Sequence, residues 1–360
     1  MTFLQAIVLG IVQGLTEFIP ISSTAHLVFA SRIVGLFSDM EQTVRAEQTT
    51  AVIAVVQLGT LLAVIIYFAR DIINISIAFV RDHLALLTGK RSEAALDETI
   101  SSGIQPRLSH EAWLGWLVII GSIPVGVVGL LFKKQIEGTF TKNLWVIATM
   151  MIVVALFLLV AEFVGRKRRT MQDLGVRDAL AVGGAQCLAL IPGASRSGST
   201  IMAGLFAGEV CETAARFSFL LSIPAIAASG LLELKEAIHK LPEGSAVPLA
   251  VATVVSGVVG YASIWFLLRF LKTHTTGIFI GYRLIVGATI LALLFAGVIT
   301  PFGERAASAN SNSEQRPPLT TRSLENVNAN TNNNSRDSVN LKRPSSRKSR
   351  SWTNPRPKGR

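Results

Sequence analysis

The chain has 360 residues, half of them apolar, and only 16% carry a charge, where a soluble globular domain has about 25%. That shortfall excludes an ordinary soluble enzyme before any segment is inspected. The net charge of +11 is uneven: from Pro301 onward there are 12 Lys/Arg and 4 Asp/Glu, a balance of +8, which leaves +3 for the first 300 residues, so a nucleic-acid-binding reading would rest on the tail alone.

The N-terminal stretch 3–35 is apolar but interrupted by Glu17, Pro20, Ser22 and Ser23. It has no basic n-region and no clear cleavage site, so it reads as retained structure rather than a signal peptide. A membrane-spanning helix needs roughly 20 mostly apolar residues. The stretches 50–69, 112–132 and 143–164 meet that requirement, with a long basic loop expected at 70–111. After Arg166-Lys167-Arg168-Arg169 comes a second interrupted stretch, 179–210, broken at Pro192, Gly193, Ser195, Arg196 and Ser197. Spans at 213–233, 247–271 and 278–299 follow. Cys187 and Cys211 lie in or beside apolar segments and match neither a zinc set nor a disulfide framework, which makes them packing residues. The tail is rich in Asn, Ser, Arg and Pro and is expected to be disordered.

The pattern predicts an all-α polytopic membrane protein: about six transmembrane helices plus two broken, re-entrant helix pairs. Freed backbone groups inside a bilayer are tolerated only where they are buried in protein or face a wet cavity. Paired breaks in corresponding positions of two halves point to a binding site. In each half a Gln precedes an apolar run, then Ile-Pro, then a Ser-rich turn, then three spans. An odd number of spans inverts the second copy. The expected organisation is therefore a first membrane repeat at 1–165, a basic loop at 166–177, an inverted second repeat at 178–300, and a basic Asn/Ser-rich tail at 301–360. The basic loops at 70–111 and after 164 fall on one side, which the positive-inside rule makes cytoplasmic.

The two breaks hold the polar chemistry. Glu17 is an expensive carboxylate in an apolar run and a functional candidate by default. Gln13 lies one turn earlier on the same helix face. Pro20 ends the first helix, Ser22 and Ser23 are positioned to cap the next, and His26 lies a turn into it. In the second break, Ser195 and Ser197 stand where a helix begins and its free N–H groups favour an anion. Thr200 lies one turn further on. Arg196 offers a planar fork suited to phosphate. Its counter-ion is either Glu17, in a structural ion pair, or an anionic ligand. One carboxylate, one imidazole, several hydroxyls and a guanidinium fit phosphoryl chemistry on a lipid. Arg196 would stabilise charge on the transferring group, His26 or Glu17 would activate a nucleophile, and water or Ser23 would serve as that nucleophile.

At this point the sequence resembles a known family. QGLTEFIPISSTAHL at 13–27 and ALIPGASRSGSTI at 189–201 closely resemble the two signature regions of the bacterial undecaprenyl-diphosphate phosphatases of the BacA/UppP type. VVQLGTLLAVI from Val55, GSIPVGVVGLLF from Gly121, FSFLLSIPA from Phe217 and GYRLIVG from Gly281 also look like the family. The resemblance covers roughly 1–300. It implies hydrolysis of undecaprenyl diphosphate to undecaprenyl phosphate and inorganic phosphate, lipid-carrier recycling for peptidoglycan synthesis, and bacitracin resistance. It implies a multi-pass protein of the bacterial cytoplasmic (inner) membrane with its active site facing the periplasm or exterior. It places the acidic motif on Gln13 and Glu17, the Ser and His on Ser23 and His26, and the phosphate-binding motif on Pro192 to Thr200 with Arg196 at its centre. Ser22, Ser195, Ser197 and Thr200 join Gln13 as expected substrate-binding residues.

A Mg²⁺ or Ca²⁺ cofactor is also implied. With Gln at position 13 only one carboxylate stands at this tip, so the expected metal arrangement is an ion at Glu17 shared with the diphosphate. The expected partners are a polyprenyl diphosphate lipid and the bilayer, not nucleic acid, with homo-oligomer formation left open. The main competing function is a polyprenyl-phosphate lipid transporter (flippase), because inverted repeats with broken helices are also transporter architecture. A phospho-histidine lipid phosphatase would need a His soon after its Ser-Arg motif, and the next one here is His239.

Overall fold

The computed structural model describes residues 1–37, 42–88, 108–132, 143–237 and 245–301. These form eleven α-helices: α1 (Phe3–Phe18), α2 (Ser23–Ile33), α3 (Gln42–Tyr67), α4 (Ala69–Leu87), α5 (His110–Leu131), α6 (Leu144–Val164), α7 (Val176–Gln186), α8 (Arg196–Phe206), α9 (Cys211–Ala237), α10 (Ala246–Leu271) and α11 (Gly277–Phe295). Six of the eleven carry segments long and apolar enough to cross a membrane: Gln48–Tyr67, His110–Leu131, Leu144–Val164, Cys211–Leu232, Ala246–Leu271 and Gly277–Phe295. They coincide with the six expected spans. Their outer faces present large apolar side chains such as Ile123 and Val127 on α5, Phe157 and Phe163 on α6, and Val254 and Trp265 on α10. Bands of that extent on a folded chain mark contact with lipid or another protein.

Both expected breaks are present. The first falls between α1 and α2, where Pro20 follows the extended Ile19 and cannot continue the helix. The second falls between α7 and α8, as a 3-10 turn at Cys187–Leu190 followed by Ile191–Ser195. In both breaks the residue capping the outgoing helix is a serine at positive φ, Ser22 at 78° and Ser195 at 69°. A non-glycine residue held there signals a conformation imposed by its surroundings.

The stretch expected to be a long loop from residue 70 is helical as far as Leu87. Ile73, Ile77, Val80, Leu84 and Leu87 form one exposed apolar stripe, while Asp82 is buried and accepts from the Ser109 backbone N–H at 2.8 Å and hydroxyl at 2.6 Å. The charged residues of α4 hid it from a search for continuous apolar runs; its signal is a helical period, not mean hydropathy. Residues 89–107 of that expected loop, and the tail beyond Pro301, lie outside the described residues.

The interior is assembled around the breaks. α1 packs along α10, α10 along α3, α7 along α5, and α11 along α6, while α8 is wedged among α6, α7 and α9. Phe18, at the end of α1, meets Phe219 of α9 edge-to-face with ring centroids 5.4 Å apart, within a buried cluster that also holds Phe68, Ile201 and Ile264. Burying aromatic and branched side chains here fixes the end of α1 against α8 and α9.

Candidate functional site

The two breaks meet. Ser197 of α8 donates to the Ile19 carbonyl at 3.3 Å. Arg283 of α11, fully buried, donates to the carbonyls of Pro20 (3.3 Å), Gly193 (3.0 Å), Ala194 (2.9 Å) and Met151 (3.2 Å). One guanidinium thus satisfies carbonyls that both interrupted helices would otherwise leave bare, the requirement for irregular backbone at membrane depth. Gly193 is obligatory in this turn. Its φ is +90°, and a Cβ would lie 2.2 Å from the Ile147 carbonyl oxygen.

Beside the junction lies a cavity of about 710 Å³. Its polar wall carries Gln13, Glu17, Ser23, Gln186, Ser195 and Arg196. Its apolar wall is built from the second halves of α5 and α9, from Val125 to Leu130 and from Pro224 to Leu232. A charged corner opening into an apolar slot suits an amphiphile with an anionic head.

Across the cavity's polar end, Arg196 Nη2 bonds Glu17 Oε1 at 2.5 Å, joining residues 179 positions apart. The other carboxylate oxygen, Oε2, accepts from Gln13 Nε2 at 3.1 Å, and Gln13 Nε2 also reaches Thr60 Oγ1 at 3.4 Å. The expected shared face of Gln13 and Glu17 is therefore realised. Glu17 is the counter-ion of Arg196, but that bond uses one of the five N–H donors of the fork, and Arg196 makes no other side-chain hydrogen bond among the described residues. Gln13 Oε1 is buried without a partner. Ser195 caps α8 by accepting from the Gly198 N–H at 3.2 Å.

Other expected site residues stand apart from the cavity. Ser197 is buried at the junction, its hydroxyl 3.3 Å from that of Ser195, and Thr200 is buried within α8, where it bonds the Arg196 carbonyl at 2.8 Å and the Ser218 hydroxyl. Ser22 is buried with its hydroxyl unpartnered. His26 turns away from the cavity: Nδ1 donates to the Ser22 carbonyl and Nε2 pairs with the Tyr282 hydroxyl, both at 2.7 Å, with the two rings stacked. Because a carbonyl only accepts, Nδ1 carries a proton. His26 thereby holds the strained Ser22 turn in place.

Sequence reasoning did not single out Arg283 and noted Gln186 only as the repeat counterpart of Gln13, not as a site residue. Arg283 stands in an apolar span without a nearby acidic residue, which is itself a signal of an intramembrane role. Gln186 is fully buried on the cavity wall with neither amide atom partnered.

The fold and site define a multi-pass membrane protein with an ionised, amphiphilic cavity between two interrupted helix pairs. Residues 6–289 match the family described as "Bacitracin resistance protein BacA". Among curated relatives, the chain is 48% identical over 295 residues to the undecaprenyl-diphosphatase of Syntrophobacter fumaroxidans, covering 82% of this chain and 98% of that one. It is 46% identical over 303 residues to that of Mycolicibacterium vanbaalenii (83% and 99%) and 46% identical over 302 residues to that of Mycolicibacterium smegmatis (83% and 99%). The chain belongs to the BacA family.

Proposed function

We propose that the chain hydrolyses undecaprenyl diphosphate to undecaprenyl phosphate and inorganic phosphate, with the cavity between the two breaks as its active site. The observation that carries this reading is the Glu17–Arg196 pair at the head of an amphiphilic cavity, in a chain whose relatives are named for that activity. The diphosphate lies at the polar wall and the first isoprene units in the slot between α5 and α9.

Arg196 directs its unspent donors at the terminal phosphoryl group, where positioned positive charge lowers the barrier most. Glu17 holds that guanidinium in place and takes a proton from the attacking water. The water oxygen bonds to the terminal phosphorus, the bridging P–O bond breaks, and the leaving oxygen stays on the lipid as undecaprenyl phosphate. Ser23 has no side-chain hydrogen-bond partner among the described residues and orients the water.

Among the described residues no group of three His, Cys, Asp or Glu is placed to hold a metal ion, so an all-protein site is not supported. Glu17 and the Gln13 Oε1 atom, unpartnered among the described residues, would hold a hard cation here. Such an ion supplies charge neutralisation at the diphosphate.

The architecture is read as two re-entrant pairs inside an inverted repeat. Helices of 11 residues such as α2, α7 and α8 rise about 16 Å, roughly half the hydrocarbon core, which supports pairs that turn back to the side they entered. On that reading α5 and α9 both start on the side of the basic loop at 166–169, which the positive-inside rule makes cytoplasmic. The cavity follows the second half of each, so it opens toward the exterior.

The test is phosphate release from undecaprenyl diphosphate by detergent-purified protein. Glu17→Ala and Arg196→Ala, each checked for folding, are expected to lower kcat/KM by roughly a thousandfold. Lipid movement without phosphate release would replace this reading with a flippase.

A further inference from the structure

Gln186 is the last residue of α7 and forms part of the cavity wall. Its side chain is 0% exposed, and neither Nε2 nor Oε1 has a hydrogen-bond partner among the described residues. Buried amides are rarely left wholly unsatisfied, and each such group in a folded chain asks for an explanation.

Its placement is closely fixed. Gly183, one turn earlier, lies so near α5 that a Cβ would come within 2.0 Å of the Gly121 carbonyl oxygen. The other arm repeats the arrangement. Gly10 lies one turn before Gln13, and a Cβ there would come within 2.6 Å of the Ala252 carbonyl oxygen on α10. Gln13 is likewise buried at the cavity wall with an unpartnered amide atom. The register continues beyond the amides, for the serine at positive φ stands nine positions after the Gln in each arm, Ser22 after Gln13 and Ser195 after Gln186. An accident of packing has no reason to recur at the same register in both arms.

We propose that Gln186 is an amide ligand of the diphosphate head, donating from Nε2 to an anionic phosphate oxygen. The Gln186 amide at the end of α7 and the Arg196 guanidinium on α8 then grip the head from both sides of the second break. An amide suits this place better than a second guanidinium: it binds the head without holding the anionic product too tightly. The inference rests on the phosphatase reading of the cavity.

The test compares full-length wild type with Gln186→Leu and Gln186→Asn in detergent. The readouts are kinetics on undecaprenyl diphosphate and the thermal shift produced by a non-hydrolysable methylene-bridged farnesyl bisphosphonate. Loss of one hydrogen bond to a charged oxygen predicts a KM raised roughly tenfold in Gln186→Leu, with kcat changed less than about threefold. The analogue-induced shift should shrink as a tenfold weaker affinity requires, while the unliganded melting midpoint equals or exceeds that of wild type because an unsatisfied amide has been removed. Gln186→Asn keeps the amide but shortens its reach, and should show the same KM defect if the leucine variant does not fold. Wild-type KM and an undiminished analogue shift in a folded variant would overturn the proposal. A wild type that releases no phosphate overturns the phosphatase reading instead, and the analogue shift still decides whether Gln186 binds a diphosphate.

Discussion

At the scale of single residues, the centre of the molecule is governed by where charge is buried and what satisfies it. Arg283 has no carboxylate beside it; its donors go to carbonyls of both breaks. Arg283→Met should cost about 3–5 kcal/mol and abolish turnover although Arg283 is not on the cavity wall. A variant of normal thermal stability and activity would show that the breaks hold themselves. Glu209, between α8 and α9, is a second case. It is fully buried, and neither carboxylate oxygen has a hydrogen-bond partner among the described residues. Burial, reinforced by the charge of Asp178 and opposed by Arg169, pushes its pKa from 4.5 up to about 7. The folded chain therefore keeps a proton that the unfolded chain releases above pH 4.5, so stability falls as pH rises between those values, by about 3 kcal/mol in all. Thermal melts of wild type should drop between pH 5 and pH 8, and Glu209→Gln should flatten that slope. Identical slopes would mean Glu209 titrates normally.

At the scale of elements, the breaks are held by close contacts more than by helix propensity. Gly183 and Gly184 are adjacent on α7 and make a direct comparison. A Cβ on Gly183 collides with the Gly121 carbonyl, whereas one on Gly184 meets nothing within 4 Å. Gly183→Ala should destabilise by about 1–3 kcal/mol through overpacking, and Gly184→Ala should stabilise by up to about 1 kcal/mol through helix propensity. Equal melting midpoints would show that α7 does not press on α5. Much at this scale was legible in the sequence. Apolar runs gave the six spans, and Pro20 and the Pro192-Gly193 pair located both breaks. The amphipathic α4 was missed because its exposed stripe, Ile73 to Leu87, is diluted by Arg70, Asp71, Arg81 and Asp82. The pairing of Glu17 with Arg196 was one of the two readings open, since a buried cation needs a partner. The turning away of His26 and Thr200 was not legible, because helical spacing fixes which residues share a face but not which neighbour that face meets. Arg283 escaped for a similar reason: only the convergence of α11 with both breaks reveals what its donors satisfy.

At the scale of the whole molecule, the family match ends at residue 289, and relatives are covered almost completely by about four-fifths of this chain. Truncation after Gly303 should leave turnover within about twofold of the full chain, because the cavity and both breaks lie before it. A large loss in a folded truncated protein would give the basic tail a catalytic or substrate-delivery role. In the proposed reaction Glu17 and Arg196, brought together from opposite halves of the sequence, form the hydrolytic centre. The most direct measurement is phosphate release from undecaprenyl diphosphate by purified protein, with Mg²⁺ or Ca²⁺ present or chelated, beside folded Glu17→Ala and Arg196→Ala. The expected result is release by wild type, dependence on the cation, and loss of release in both variants. Undiminished release by either variant would contradict it.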